Sequence, residues 1–337
     1  MTSPTASLLE PPQPKTRLSI ASSLWGAQSF IPTSEAYWFF YIAECQRALQ
    51  DNGQHVLART HKDVLDTVAH LKADQLREQI RKVLHVKFTK PHHSEIQLVD
   101  RSIDLAATLL LMTDVGSIQY GFSGRQRLHW REGTLRECVA SGFTPSTSLD
   151  HKGIKLQRLF NASSLVRIAG LELVPTTNLL DHLRLTDDDT KLQIFHHASF
   201  LKHQTDSSLF PSGLAEETLR TLALLFPQSD GTLRKWYRRL PMPFPLDPEL
   251  VRCGHLKTED RQFEKFAYWH DRLVVLKQVF DEATPENMSQ WWFDRRNSVQ
   301  WWTFWIAILV LVLTILFGFT QCITGIMQVY AAFKIKA

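Results

Sequence analysis

The stretch FDRRNSVQWWTFWIAILVLVLTILFGFTQ, Phe293 to Gln321, decides the architecture of this 337-residue chain. From Trp301 to Phe319, twelve of nineteen residues are Leu, Ile, Val or Phe. At roughly −0.5 kcal/mol each on an insertion scale, these favour entry into a bilayer by about 6 kcal/mol. No Asp, Glu, Lys or Arg occurs between Arg296 and Lys334. A core helix of this length would normally carry a polar face, and here there is none. Nineteen to twenty-two helical residues span about 30 Å, the thickness of the hydrocarbon layer. Five of the ten Trp crowd its N-terminal approach: Trp291, Trp292, Trp301, Trp302 and Trp305. With Arg295 and Arg296 beside them they form the expected membrane-interface belt.

Beyond Gln321 the chain stays uncharged until Lys334. One helix through Phe333 would be about 50 Å long, more than one bilayer needs, and a second span would be too short. The recurrence of Ile323, Ile326, Met327, Tyr330 and Phe333 predicts a short amphipathic extension at the far interface. Small residues at Thr303, Ala307, Thr314, Gly318, Cys322 and Gly325 share one helical stripe, interrupted by Leu311, where a second copy of the helix could approach.

The net charge of +4 is nearly balanced and gives no nucleic-acid signal. Cys45, Cys138, Cys253 and Cys322 are widely spaced, which suits reduced thiols better than a disulfide scaffold. The Pro-, Ser- and Thr-rich N-terminus carries no signal peptide, so the large N-terminal part is expected in the cytosol, with the anchor inserted after synthesis. In that compartment the sequons at Asn161 and Asn287 stay silent.

The pattern predicts a mostly α fold with small β-hairpin elements: a helical cytosolic domain, a long stalk helix and one C-terminal transmembrane helix. Its divisions are a disordered segment over 1–33, the helical domain over 34–255, stalk and interfacial helix over 256–298, the span over 299–320 and an amphipathic tail over 321–337. Within the domain, helices are expected over Tyr37–Gln50, from about Lys62 to Leu84, and from a capping box at Ser94 and Gln97 onward. Ile118, Tyr120, Phe122, Leu128 and Trp130 alternate as in a hairpin. A second capping box, Thr134 and Glu137, opens a helix that Gly142 ends. A strand runs through Leu192, Ile194 and His196 after an acidic turn at Asp187 to Asp189. Leu214–Phe226 is helical and stops at Pro227, and RKWYRRLPMPFPLDP, from residue 234, is a basic connector. Glu259–Glu282 reads as one long helix with Phe266, Trp269, Leu273, Leu276 and Phe280 on its seam.

Catalytic and cofactor motifs are missing: there is no Walker A loop, no nucleophile elbow and no HExxH. His196 and His197 invite a metal reading with Asp187 to Asp189, but adjacent strand residues point to opposite faces. Arg234, Lys235, Arg238 and Arg239 around Trp236 and Tyr237 suit acidic headgroups or a partner.

The phrases RIAGLELVPTTNLLDHL, TKLQIFHHASFL, ETLRTLALLFPQ, WHDRLVVLKQVFDE and QWWFDRRNSVQWWTFWIAILVLVLTILFG, within 161–333, resemble a group of filamentous-fungal hypothetical membrane proteins. That resemblance implies a cytosolic domain on a C-terminal anchor, in the setting of variable genome regions such as metabolite gene clusters, and brings no activity with it. A more distant likeness is to CorA-type magnesium channels, whose first span ends in Gly-Met-Asn and leads into a second. Here Gly318 is followed by Phe319 and Thr320. The expectation is a membrane-anchored, non-enzymatic accessory protein that meets the lipid bilayer and an unidentified protein partner, with a second copy of itself as a further candidate partner, and without cofactor or metal. The alternatives are an oligomeric ion-transport relative, and an enzyme using His196, His197 and Asp187 to Asp189.

Overall fold

The computed structural model describes residues 5–26, 34–50, 53–86, 95–116, 124–149, 155–241, 244–283 and 298–336. The chain divides into two compact units, one holding helices α1 to α11 and a small sheet, the other the C-terminal helix. The fold is mostly helical, as the sequence predicts.

In the first unit, α5 (Glu95–Leu111) is the central rod, with eleven of its seventeen residues buried. A helix buried over that much of its length must be covered on several sides. α2 (Glu35–Ala48), α3 (His61–Lys72) and α4 (Arg77–His85) pack against it. Arg77 of α4 is buried and donates to Asp104 on α5 at 2.7 Å and to Asp100 at 3.2 Å, with its guanidinium 4.8 Å from the centre of the Trp130 ring.

Two expectations fail in this region. The N-terminal lead-in is not unstructured throughout: Pro14–Trp25 forms α1, with Pro at its start and Thr16, Ile20, Ala21 and Leu24 buried. The helix expected over Lys62 to Leu84 is two, α3 and α4. Asp74 adopts φ +56° between them, and the Gln79 side chain accepts from the Leu76 N–H at 3.2 Å to start α4. Ser94, the cap expected for α5, lies outside the described residues, as does most of the expected hairpin. Of its other residues, Leu128 bridges Val115 in parallel and Trp130 is buried outside any strand.

α6 (Leu135–Gly142) opens on the Thr134–Glu137 capping box as expected. α7 (Ala162–Arg167) follows, and Asn161 caps it by accepting from the Ser164 N–H at 3.0 Å. The sheet is mixed, with β3 (Lys191–Phe195) between β1 (Glu172–Thr176), parallel, and β2 (Leu185–Thr186), antiparallel. Among the described residues, β2 and β3 form a hairpin. Its turn places Asp187, Asp188 and Asp189 at φ +52°, +52° and +60°, a conformation that Asp tolerates better than most residues. β3 ends at Phe195, so His196 follows the strand instead of lying in it.

α8 (Ala198–Gln204) and α9 (Leu214–Leu225) pack together, and α9 stops before Pro227 as expected. Part of the basic connector is helical: α10 (Gly231–Arg238) starts where Asp230 accepts from the Thr232 and Leu233 N–H groups at 2.9 and 3.0 Å. Leu233 and Tyr237, one turn apart, are its buried face.

The long helix expected from Glu259 begins only at His270, as α11 (His270–Glu282), after two 3-10 turns at Glu259–Arg261 and Phe263–Lys265. Buried Glu217 of α9 explains the late start. Its carboxylate accepts from the N–H groups of Ala267, Tyr268 and Trp269, each at 2.8 Å. These donors precede the first helical turn and would otherwise be orphaned. Phe266, Trp269, Leu273, Leu276 and Phe280 are all buried within the domain, so the heptad seam is spent on the core.

In the second unit, α12 (Ser298–Lys336) is one unbroken helix of 39 residues. The amphipathic tail expected over 321–337 is therefore a continuation of the spanning helix. The stretch Trp301–Val329 is long and apolar enough to cross a membrane, and none of it is buried.

Candidate functional site

A cleft of about 610 Å3 lies between α2, the segment from Gly124, β1 and the β2–β3 turn. Its aromatic side is Phe39, Phe40, Phe244 and His196; the Phe39 and Phe244 rings stack at 6.1 Å, and Phe244 and His196 at 5.7 Å. Phe39 is 49% exposed although it belongs to a helix that is otherwise well covered.

The opposite side is a chain of ion pairs. Arg47 donates to both oxygens of Glu44, at 2.8 and 2.9 Å. Asp181 receives Arg184 at 2.6 Å, the Gln126 N–H at 3.1 Å and the Asn178 side-chain amide at 2.8 Å. Arg125 lies 3.1 Å from Asp114 and donates to the Thr177 hydroxyl at 3.2 Å. Burial pushes the Glu44 and Asp114 carboxyls up, against the pull of the arginines beside them. Charged groups removed from water must be paired or else neutralise, and here each carboxylate has a guanidinium. Such a surface can exchange its internal pairs for those of a charged partner.

Arg272 of α11 fixes the base of this region. It donates to the Leu180 and His182 carbonyls at 2.7 and 2.5 Å and to the Gln126 side chain at 3.0 Å. Burial lowers its pKa to about 10. His182 is structural: its Nε2 meets the Thr221 hydroxyl at 2.7 Å and its Nδ1 accepts from the Phe195 N–H at 3.3 Å.

His196 and His197 do come together, contrary to the strand argument. Their ring centres are 3.9 Å apart, both rings are buried, and burial lowers the His196 pKa to about 3 and holds that of His197 well below the usual imidazole range. His196 Nδ1 accepts from the Asp247 N–H at 3.4 Å, so its proton sits on Nε2, which has no partner among the described residues. Both nitrogens of His197 are likewise unpartnered there, between the Phe40 and Phe195 rings. The Asp247 carboxylate accepts from the Ser199 N–H at 2.7 Å and the Ser199 hydroxyl at 2.8 Å. The serine therefore donates to a carboxylate and not to an imidazole, which is not a nucleophilic arrangement. Asp187 and His196 line the same cleft. Among the described residues no three His, Cys, Asp or Glu side chains are grouped so as to hold a metal ion.

Of the membrane-interface residues, Trp301, Trp302 and Trp305 lie on the first turns of α12 with ring centres 5.0 Å (Trp301–Trp302) and 6.1 Å (Trp301–Trp305) apart. Trp291, Trp292, Arg295 and Arg296 are outside the described residues, as is Asn287. Ala307, Thr314, Gly318, Cys322 and Gly325 fall on one side of the continuous helix, within an arc of about 100°. No atom lies within 4 Å of the Cβ position that Gly318 or Gly325 lacks. Thr303, Thr314, Thr320 and Thr324 turn their hydroxyls back onto helix carbonyls at 2.8–3.0 Å. On α10, Lys235 and Arg238 are exposed and Arg234 and Trp236 half-buried; Arg239, just past its end, is exposed.

The ion-pair cluster Glu44, Arg47, Asp114, Arg125, Asp181 and Arg184 was not singled out by the sequence. Its one legible trace is Asn178, Asp181 and Arg184 at three-residue spacing inside a Leu-rich run. Comparison with protein-family models, curated proteins and solved structures gives no match.

Proposed function

We propose that this is a single-pass membrane protein, anchored through α12, whose helical domain faces the cytosol and docks a protein partner in the cleft between α2 and the sheet. The observation that carries the reading is the uncharged, wholly unburied stretch Trp301–Val329. Exposed apolar surface on this scale needs a cover, and lipid is the cover its length suits. Four free cysteines, Cys45, Cys138, Cys253 and Cys322, accord with a domain kept in a reducing compartment. A binding role, and not an enzymatic one, is supported by how the buried carboxylates are used. Asp114 and Asp181 neutralise arginines, while Glu217 and Asp247 cap helix starts. The small-residue stripe of α12 gives the anchor a face for self-association in the bilayer.

Protease digestion of sealed, cytosol-side-out vesicles tests the orientation. The domain is expected to be degraded, leaving a protected fragment of α12. A protected domain, with Asn161 or Asn287 carrying glycan, would reverse it.

A further inference from the structure

A second cleft, of about 830 Å3, lies away from the aromatic one, lined by the segment 157–161, the end of α9, the start of α10 and the loop 255–261. Its charge is of a different kind. Arg158, His255, Lys257 and Arg261 line it, and none of them belongs to an ion pair among the described residues. The acidic side chain lining it is Asp230, and its carboxylate is committed to the Thr232 and Leu233 N–H groups of α10.

The walls are fixed by backbone bonds. Leu156 N–H donates to the Arg261 carbonyl at 2.8 Å, and Gln228 N–H donates to the Gly254 carbonyl at 2.8 Å. Arg261 offers its Nη2 to the Thr258 hydroxyl at 3.4 Å, while its Nε is buried with no partner among the described residues. A guanidinium donor withdrawn from water without an acceptor is costly, so an incoming anion gains from satisfying it. Arg77, Arg184 and Arg125 are by contrast ion-paired, with Asp104, Asp181 and Asp114.

The geometry points to this cleft as the binding site for a phosphate group carried on a larger organic body. Two guanidinium forks and an ammonium suit the oxygens and double charge of phosphate better than a single carboxylate. Leu224, Pro227 and Leu256 supply an apolar flank for the rest of the molecule, and the volume falls within the range of small-ligand sites. The inference does not depend on the partner-docking cleft or on the orientation of the anchor.

The test is a binding titration of the full-length chain in neutral detergent, with inorganic pyrophosphate as probe and citrate as comparison. Pyrophosphate is expected to bind more tightly than citrate and to weaken as salt rises. The double variant Lys257→Gln/Arg261→Gln is expected to lose about tenfold in affinity. Arg158→Gln, a change at an exposed side chain, should weaken binding without touching the fold, so a misfolded double variant does not stall the test. Displacement of pyrophosphate by a micellar phosphoinositide at lower concentration than by a soluble nucleotide assigns a lipid headgroup; the reverse order assigns a soluble phosphate compound. No pyrophosphate binding, equal affinity for citrate, or affinity unchanged in these variants overturns the site.

Discussion

His182, His196 and His197 are held neutral by burial, which lowers the first two to about 3 and holds the third well below the usual imidazole range. Each has a folded pKa below the unfolded value of about 6.5, so the unfolded chain takes up protons first as pH falls. Stability is therefore complete above about pH 6.5 and declines as pH drops toward the folded values, by up to about 1.4 kcal/mol per pH unit for each ring. His197→Phe replaces an unpartnered imidazole among Phe40 and Phe195 with a ring that cannot charge. Denaturant unfolding of the full chain between pH 7 and pH 5, above the carboxylate range, should show a shallower loss of stability in this variant. A pH dependence identical to that of the unaltered chain would mean that His197 does not hold its neutral form through burial.

At the scale of elements, helices with local signals were legible and those fixed by distant side chains were not. Thr134 and Glu137 announce α6 because both halves of its capping box lie within four residues. The start of α11 is set by Glu217, some fifty residues upstream, so periodicity alone extended that helix to Glu259. α1 was missed because its burial depends on partners far along the chain, including α3. The acidic turn was read correctly and the hairpin around it was not, since β2 is only two residues long. The central cleft was hidden for the same reason as α11: Glu44, Asp114 and Asp181 are separated by whole helices. The apolar run makes α12 legible, with the span expected over 299–320. Trp301–Val329 measures about 43 Å, so part of it must tilt or emerge. Two arginines at Leu311 and Leu313 remove about 1 kcal/mol of favourable transfer and add about 6 kcal/mol of cost, cancelling the insertion energy of the helix. That variant should fail to insert in a translocation assay, while Ile326→Arg, beyond the hydrocarbon, should insert normally. Equal failure of both would move the bilayer centre toward residue 326.

Two features stand out in the molecule as a whole: a domain that pairs its buried charges internally, and an apolar helical stretch, Trp301–Val329, with no buried residue. α12 runs without a break to Lys336. Where CorA-type channels carry Gly-Met-Asn, this chain has Gly318, Phe319 and Thr320. The central claim is that lipid is what covers α12. Extraction of native membranes with alkaline carbonate tests it most directly. The account predicts that the full-length chain stays in the membrane pellet and is released only by detergent. Recovery of the chain in the carbonate supernatant would contradict it.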